Sequence, residues 1–342
     1  MSAQYVGLDV ALQKTAICVI DAQGQRCWEG VCSSAPEILI ATLRNHAPQA
    51  CRVGLETGPL AVWQWHRLRA AGLPVVCLHA RHAKAALSLQ LNKTDPNDAY
   101  GLAQIVRTGW YREVELKSMA SYRLRLLIAA RARHHRVRTG LYNQIRGLLK
   151  TFGVVLGRGK GGTFERLVVE RMPEDPAVQL VVEALLRQWR SLHDEVRGFD
   201  RALQRAARED ATCQRLMTIP GVGPLTALAY VATIDDPRRF RHASDVGAYL
   251  GLTPRRYQSG AVDRSGSITK AGDTMLRSLL FEAAHVLLTR RGAACELRTW
   301  GQALIARAGL RRATVAVARK LAVVMHRVWI DGTCFDAGHS PA

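Results

Sequence analysis

The chain has 342 residues, 48% of them apolar, which is long enough to bury more than one core and too apolar for a disordered protein. Forty-eight lysines and arginines against 28 acids leave a formal charge of +20 and an isoelectric point near 10.3, so a polyanion is the expected partner, nucleic acid before an anionic membrane surface. No apolar run approaches the ~20 residues of a spanning helix and the opening MSAQYVGLDV has no signal-peptide pattern, which argues against a membrane role.

Residues 1–112 alternate strand and helix signals. Strands are expected at 4–10, 14–21 and 27–32, then a helix at 37–45, a strand at 51–55, a helix at 61–71 and a strand at 74–78. Hairpin strands followed by strand–helix alternation predict a mixed α/β sheet with helices packed on it, an order that suits the ribonuclease-H-like fold. The eight scattered cysteines, with no CxxC pair, read as reduced thiols of a cytoplasmic protein.

Residues 113–210 read as helical. The stretch 120–160 carries ten Lys/Arg and no Asp/Glu, a surface suited to tracking phosphates; Arg131, Arg133, Arg136, Arg138 and Arg146 are its candidate contacts. From Val178 to Ala206 apolar residues recur every three or four positions, as in a coiled coil, a long helical hairpin or an amphipathic helix packed on its own domain. As a coiled coil it would be the oligomerisation element. Residues 211–330 form a further, mostly helical region with Gly-rich turns, and 331–342 read as a loose tail.

Four acids stand out. Asp9 ends the first strand in GLDV, Glu56 follows the fourth in LETG, and Asp95 and Asp98 share one face at a helix start in KTDPNDA. Carboxylates at strand ends are held rigidly and open onto a cleft. Such a set suits Mg²⁺, which prefers carboxylate oxygens, and two such ions can activate a nucleophile and neutralise a leaving oxygen in phosphodiester cleavage. Asp95 as N-cap, Pro96 at the first helical position and Asp98 near the positive helix end would equally explain that pair as capping.

Two further segments point to nucleic acid. IPGVGPLTA, with Gly221 and Gly223, has the form of a helix-hairpin-helix turn that offers backbone N–H groups to a phosphate. In GLTPRRYQSG, followed by SITKAG, Arg255, Arg256 and Lys270 are placed to clamp a phosphate beside Ser259. Serine attack on phosphorus would make a covalent DNA–protein link that conserves bond energy for rejoining. No histidine lies close by as a base.

GLD, LETG, KTDPNDA, IPGVGPLTA and GLTPRRYQSG…SITKAG together resemble the insertion-sequence transposases of the "IS one-ten" family, the DEDD transposases. The resemblance covers the first ~110 residues and about 211–290. It implies a RuvC-like N-terminal domain (1–112), a helical linker (113–210) and a C-terminal transposase domain (211–330). Asp9, Glu56, Asp95 and Asp98 would hold Mg²⁺, and Ser259 would be the nucleophile that joins DNA, with Ser265 and Ser267 as lesser competitors. It further implies a homo-oligomer, dimer or tetramer, in which one subunit's serine domain completes another's acidic site. DNA element ends and target, a guide non-coding RNA and a location at the prokaryotic nucleoid complete the expectation. The alternatives are a metal-dependent nuclease of Holliday-junction type without a covalent intermediate, and a non-catalytic nucleic-acid-binding protein.

Overall fold

The computed structural model describes residues 3–88, 92–157, 159, 161–260, 262–290 and 295–337. Arg158 and Lys160 of the basic stretch, and residues 338–342 of the expected tail, lie outside them. The chain divides into two compact units, 1–116 and 117–342.

The first unit is a five-stranded sheet with helices on both faces. Strands β1 (Gln4–Val10), β2 (Lys14–Ile20) and β3 (Arg26–Ser33) form an antiparallel meander. Helix α1 (Pro36–His46) leads to β4 (Ala50–Glu56), and α2 (Ala61–Ala70) to β5 (Val75–Leu78), each strand parallel to its neighbour. The sheet order is β3-β2-β1-β4-β5. Helices α3 (Ala80–Leu87) and α4 (Asp95–Thr108) complete the unit.

Strand alternation sorts the two faces. Val6 and Leu8 of β1 and Val53 and Leu55 of β4 join Leu39, Leu43 and Leu68 in one buried core. Gly7, Asp9, Gly54 and Glu56 therefore face the other way, toward α4. There Gly7 and Gly54 are partners in register, and both are notched beneath that helix. A Cβ on Gly7 would stand 2.0 Å from the Ala99 carbonyl oxygen, and one on Gly54 2.4 Å from a Val106 methyl. Paired glycines let the helix backbone rest directly on the sheet.

The second unit is helical. Helices α5 (Met119–Thr151) and α7 (Pro176–Glu209) pack along each other, with α6 (Gly162–Glu170) between them in sequence. Ile145, Leu149, Phe164, Val182 and Trp189 form one core of this hairpin. Further along, Ile128 and Leu203 enter the core of the C-terminal helices. These are α8 (Ala211–Leu216), α9 (Pro224–Ile234), α10 (Asp245–Tyr249), α11 (Thr274–Thr289), α12 (Glu296–Ala308) and α13 (Leu310–Asp331). An antiparallel ribbon, β6 (Pro254–Ser259) and β7 (Val262–Ile268), precedes α11.

The apolar stripe of α7 is buried within the chain: Val178, Val182 and Trp189 lie in the hairpin core, Leu203 in the C-terminal core, and Val196 between them is also buried. Its partner is α5, because heptad-like spacing states that a helix is covered without stating by which chain. After α13, Phe335 packs on the C-terminal core and its amide donates to the Thr218 hydroxyl, 2.9 Å away. That contact ties down part of the segment expected to be loose.

Gly7→Ala should lower unfolding stability by about 1–3 kcal/mol or more through overpacking against α4. Gly140→Ala, in the interior of α5 with open space around its Cα, should instead raise it by about 0.5–1 kcal/mol. Urea denaturation of both variants checks the pair.

Candidate active site

The C-terminal ends of β1 and β4 carry Asp9 and Glu56 side by side, one residue beyond the pair Leu8 and Leu55. Both point to the face covered by α4. On that helix Ala99, Leu102, Ala103 and Val106 are buried against the sheet. Asp95 and Asp98 stand four residues before Ala99 and Leu102, so they prolong the sheet-facing stripe past the strand ends. The carboxyl edge of parallel strands is the usual place for a site in such sheets.

The capping explanation for this pair holds only in part: both aspartates stand in the first turn of α4, where the helix dipole favours acids, but Asp95 is not its cap. Thr94, not Asp95, is the N-cap of α4; its hydroxyl accepts from the Asn97 amide at 3.4 Å, in extended backbone geometry. With the cap supplied by Thr94, neither aspartate is needed to satisfy the helix end.

Electrostatics joins the acids. Burial, then the charges of Asp95 and Asp98, raises the Asp9 carboxyl above its ordinary range, and Lys93 partly offsets this. Glu56 is raised by burial, then by Asp9 and Asp98. No ion pair among the described residues holds any of the four. Asp9 and Glu56 are thus partly dehydrated and face like charges, and hard oxygen donors of this kind fit a divalent cation. Among the described residues no three acid, histidine or cysteine side chains stand in ion-binding geometry.

Ser259 lies in a strand rather than a loop. It is the last residue of β6, exposed, paired in register with Val262 near the turn at Gly260. The sequence hides this ribbon because both its faces are exposed and no apolar alternation marks it. Its cations are not gathered on Ser259. Arg256 forms a two-point ion pair with Asp263 across the ribbon, 2.9 and 2.6 Å, and Arg255 donates to the Thr269 carbonyl at 3.3 Å. Lys270, with Ser265 and Ser267, instead lines a cavity of about 1280 Å³ whose far wall is α13.

The chain matches the family described as "Transposase IS116/IS110/IS902 family" over residues 213–298, and a DEDD family described as "Transposase" over 6–153. It is 30% identical to the "Transposase for insertion sequence element IS1111A" of Coxiella burnetii, over 94% of this chain and 88% of that one. The chain belongs to the IS110/IS116 transposase family. It is also 30% identical to a "Probable family 20 transposase" of Pseudomonas aeruginosa, over 99% of this chain and all of that one. A 73-residue stretch, 21% of this chain and 23% of the other, is 38% identical to a "Pilin gene-inverting protein" of Moraxella lacunata. Its substrate is accordingly DNA, and DEDD transposases typically use divalent metal ions.

The transposase uses several of its expected nucleic-acid contacts internally. Arg131 pairs with Asp200 of α7 at 2.6 Å, Arg138 reaches His193, and Arg146 donates to the carbonyls of Leu156 and Gly157. The acid missing from the local sequence comes from the facing helix. Arg133 and Arg136 remain exposed on α5. In the Gly-rich turn, Gly221 has φ +88° and sits against α11, where a Cβ would meet the Ala283 carbonyl oxygen at 2.5 Å. Gly223 is the extended N-cap of α9, with open space beside it. Arg311, Arg312, Arg319 and Lys320, which line the cavity, were missed by the sequence reading; their spacing, two adjacent pairs about two helical turns apart along α13, was the available signal.

A carboxylic acid that holds its proton more tightly when folded stabilises the fold where it is protonated, and that contribution is lost as pH rises through the folded pKa. Metal-free transposase should therefore melt below its Asp9→Asn variant at pH 7–8, by a few degrees. The gap should narrow as pH falls through the raised Asp9 and Glu56 values. Millimolar Mg²⁺ or Mn²⁺ should raise the melting temperature of the parent and not of the variant, measured by thermal shift.

No helix among the described residues is long and apolar enough to cross a membrane.

Proposed function

We propose that this transposase cuts and rejoins the DNA of a mobile element with Asp9, Glu56, Asp95 and Asp98 holding Mg²⁺ and with Ser259 as nucleophile. One observation carries the reading: the carboxylates of Asp9, Glu56, Asp95 and Asp98, drawn from β1, β4 and the first turn of α4, gather and repel one another at one sheet edge, partly offset by Lys93, with no ion pair to any of them among the described residues. The sheet order supports a ribonuclease-H-like, RuvC-like domain, and the Gly221–Gly223 turn between α8 and α9 supports a helix-hairpin-helix that grips phosphate backbone.

Bound Mg²⁺ would neutralise charge at the leaving oxygen and lower the cost of forming the attacking oxyanion. Asp9 and Glu56 hold fixed positions because the sheet holds them, and Asp95 and Asp98 because the glycine notch seats α4. In the chemical step the Ser259 Oγ–P bond forms as the bond from phosphorus to the deoxyribose oxygen breaks. The serine proton leaves to a base, and the phosphodiester bond energy is kept for rejoining. No histidine lies close to Ser259 in the sequence, and the family resemblance implies a homo-oligomer, dimer or tetramer, in which the serine of one copy works with the carboxylates of another. A guide non-coding RNA that selects donor and target, and action at the nucleoid in the cytoplasm, follow from the family resemblance. The exposed Arg133 and Arg136 of α5 are available for nucleic acid.

Cleavage of element-end DNA separates the roles. Ser259→Ala should abolish the protein–DNA adduct seen on a denaturing gel and reduce strand exchange by at least about 10³-fold, the scale of losing a nucleophile. Asp98→Asn should abolish both cleavage and adduct. Undiminished cutting by Ser259→Ala would instead identify a water-using nuclease of Holliday-junction type.

A further inference from the structure

The second unit holds a basic cavity that no part of the proposed chemistry uses. Its volume is about 1280 Å³, between the inner face of the β6–β7 ribbon, α12 and α13. Among the described residues five cations line it, Lys270, Arg311, Arg312, Arg319 and Lys320, and no acid does. None of the five is ion-paired among the described residues. Elsewhere in the same unit guanidinium groups are matched: Arg125 with Asp273, Arg131 with Asp200, Arg190 with Glu165, Arg256 with Asp263.

Two of the five stand where helix physics disfavours them. Arg311 and Arg312 occupy the first turn of α13, beside the positive end of its dipole, with no acid in that turn. Cations held there without a counter-charge cost stability unless an anion arrives. Arg312, Arg319 and Lys320 form one stripe, while Ala313, Val317, Leu321 and Val328 on the opposite side are buried. The stripe is thus held on a rigid element. From Arg311 to Lys320 it runs about 13 Å along the axis, longer than a single phosphate.

The cavity also contains an aromatic surface. Trp300 of α12 is 37% exposed, and the Lys320 ammonium lies 4.9 Å from the centre of its ring. Cations along a groove beside an exposed ring are what an unpaired strand needs, phosphates on the charges and a base on the ring. An unpaired strand can use the charges and the ring together, whereas the bases of a duplex are already stacked within it.

We infer that this cavity binds an unpaired DNA strand, through Arg311, Arg312, Arg319, Lys320 and Lys270 to its phosphates and Trp300 to a base. The inference rests on the transposase reading only in taking DNA as the polyanion. It is independent of the carboxylates, so its test runs in EDTA. A strand seated there lies against the ribbon that carries Ser259, which joins strand capture to the proposed attack.

The test is fluorescence anisotropy of labelled oligothymidylate, about 20 nucleotides long, with the full chain between about 50 and 200 mM salt. Arg311 and Arg312 are exposed, and removing them relieves the helix dipole, so Arg311→Ala/Arg312→Ala should fold at least as well by circular dichroism and melting. Its affinity should fall at least tenfold, and the slope of log K against log salt should shrink by about 1.4, near 0.7 for each lost cation on a single strand. Trp300→Ala should weaken binding about five- to 100-fold with the slope unchanged. Oligouridylate and duplex DNA complete the experiment. Absence of parental binding, unchanged binding by these variants, or losses confined to the uridylate or to the duplex would overturn the inference.

Discussion

The resting of α4 on two glycines is the contact on which the acidic site depends. Gly7 and Gly54 are neighbours in the sheet, and the space their missing side chains leave is filled by the helix backbone and Val106. Any larger residue would lift the helix and carry Asp95 and Asp98 away from Asp9 and Glu56. The fold thus sets close packing against charge repulsion. Burial of apolar surface beneath α4 holds together an array of acids that, by itself, favours separation.

A second theme is how the chain disposes of its excess positive charge. On α5 much of it is spent internally: Asp200, His193 and carbonyl oxygens engage three of the five arginines that the sequence offers for nucleic acid. Around the cavity of α13 the same charge is left uncompensated. A net charge of +20 therefore describes the partner and not the place where it binds. Only the pairing pattern, which requires tertiary structure, distinguishes a structural guanidinium from an available one.

Much of the first unit was legible beforehand. Its strands are short runs rich in apolar and β-branched residues bounded by turn signals, so β1 to β5 follow from local pattern, and acids at strand ends follow from the elements. The glycine notch was not legible, because it depends on the register between β1 and β4, which lie some 45 residues apart in sequence. Local propensity offered Asp95 as the helix cap, and only the backbone geometry gives that place to Thr94. In the second unit the stripe of α7 announced a covered helix but not its cover. The fully exposed ribbon of β6 and β7 announced nothing, since a strand with no buried face has no hydrophobic signature. The cations of α13 sit in plain sight as RR and RK seven residues apart, interleaved with the apolar residues that fix the helix, and gain meaning only beside Trp300 and Lys270.

The central claim, that the carboxylates at the ends of β1 and β4 and the start of α4 exist to hold a divalent ion, is tested most directly by anomalous diffraction from crystals of the transposase grown with Mn²⁺ and element-end DNA. The account places a manganese peak between Asp9, Glu56 and Asp98, with no such peak in crystals of an Asp98→Asn chain. Manganese bound elsewhere, or those three side chains remaining apart in crystals competent for cleavage, would contradict it.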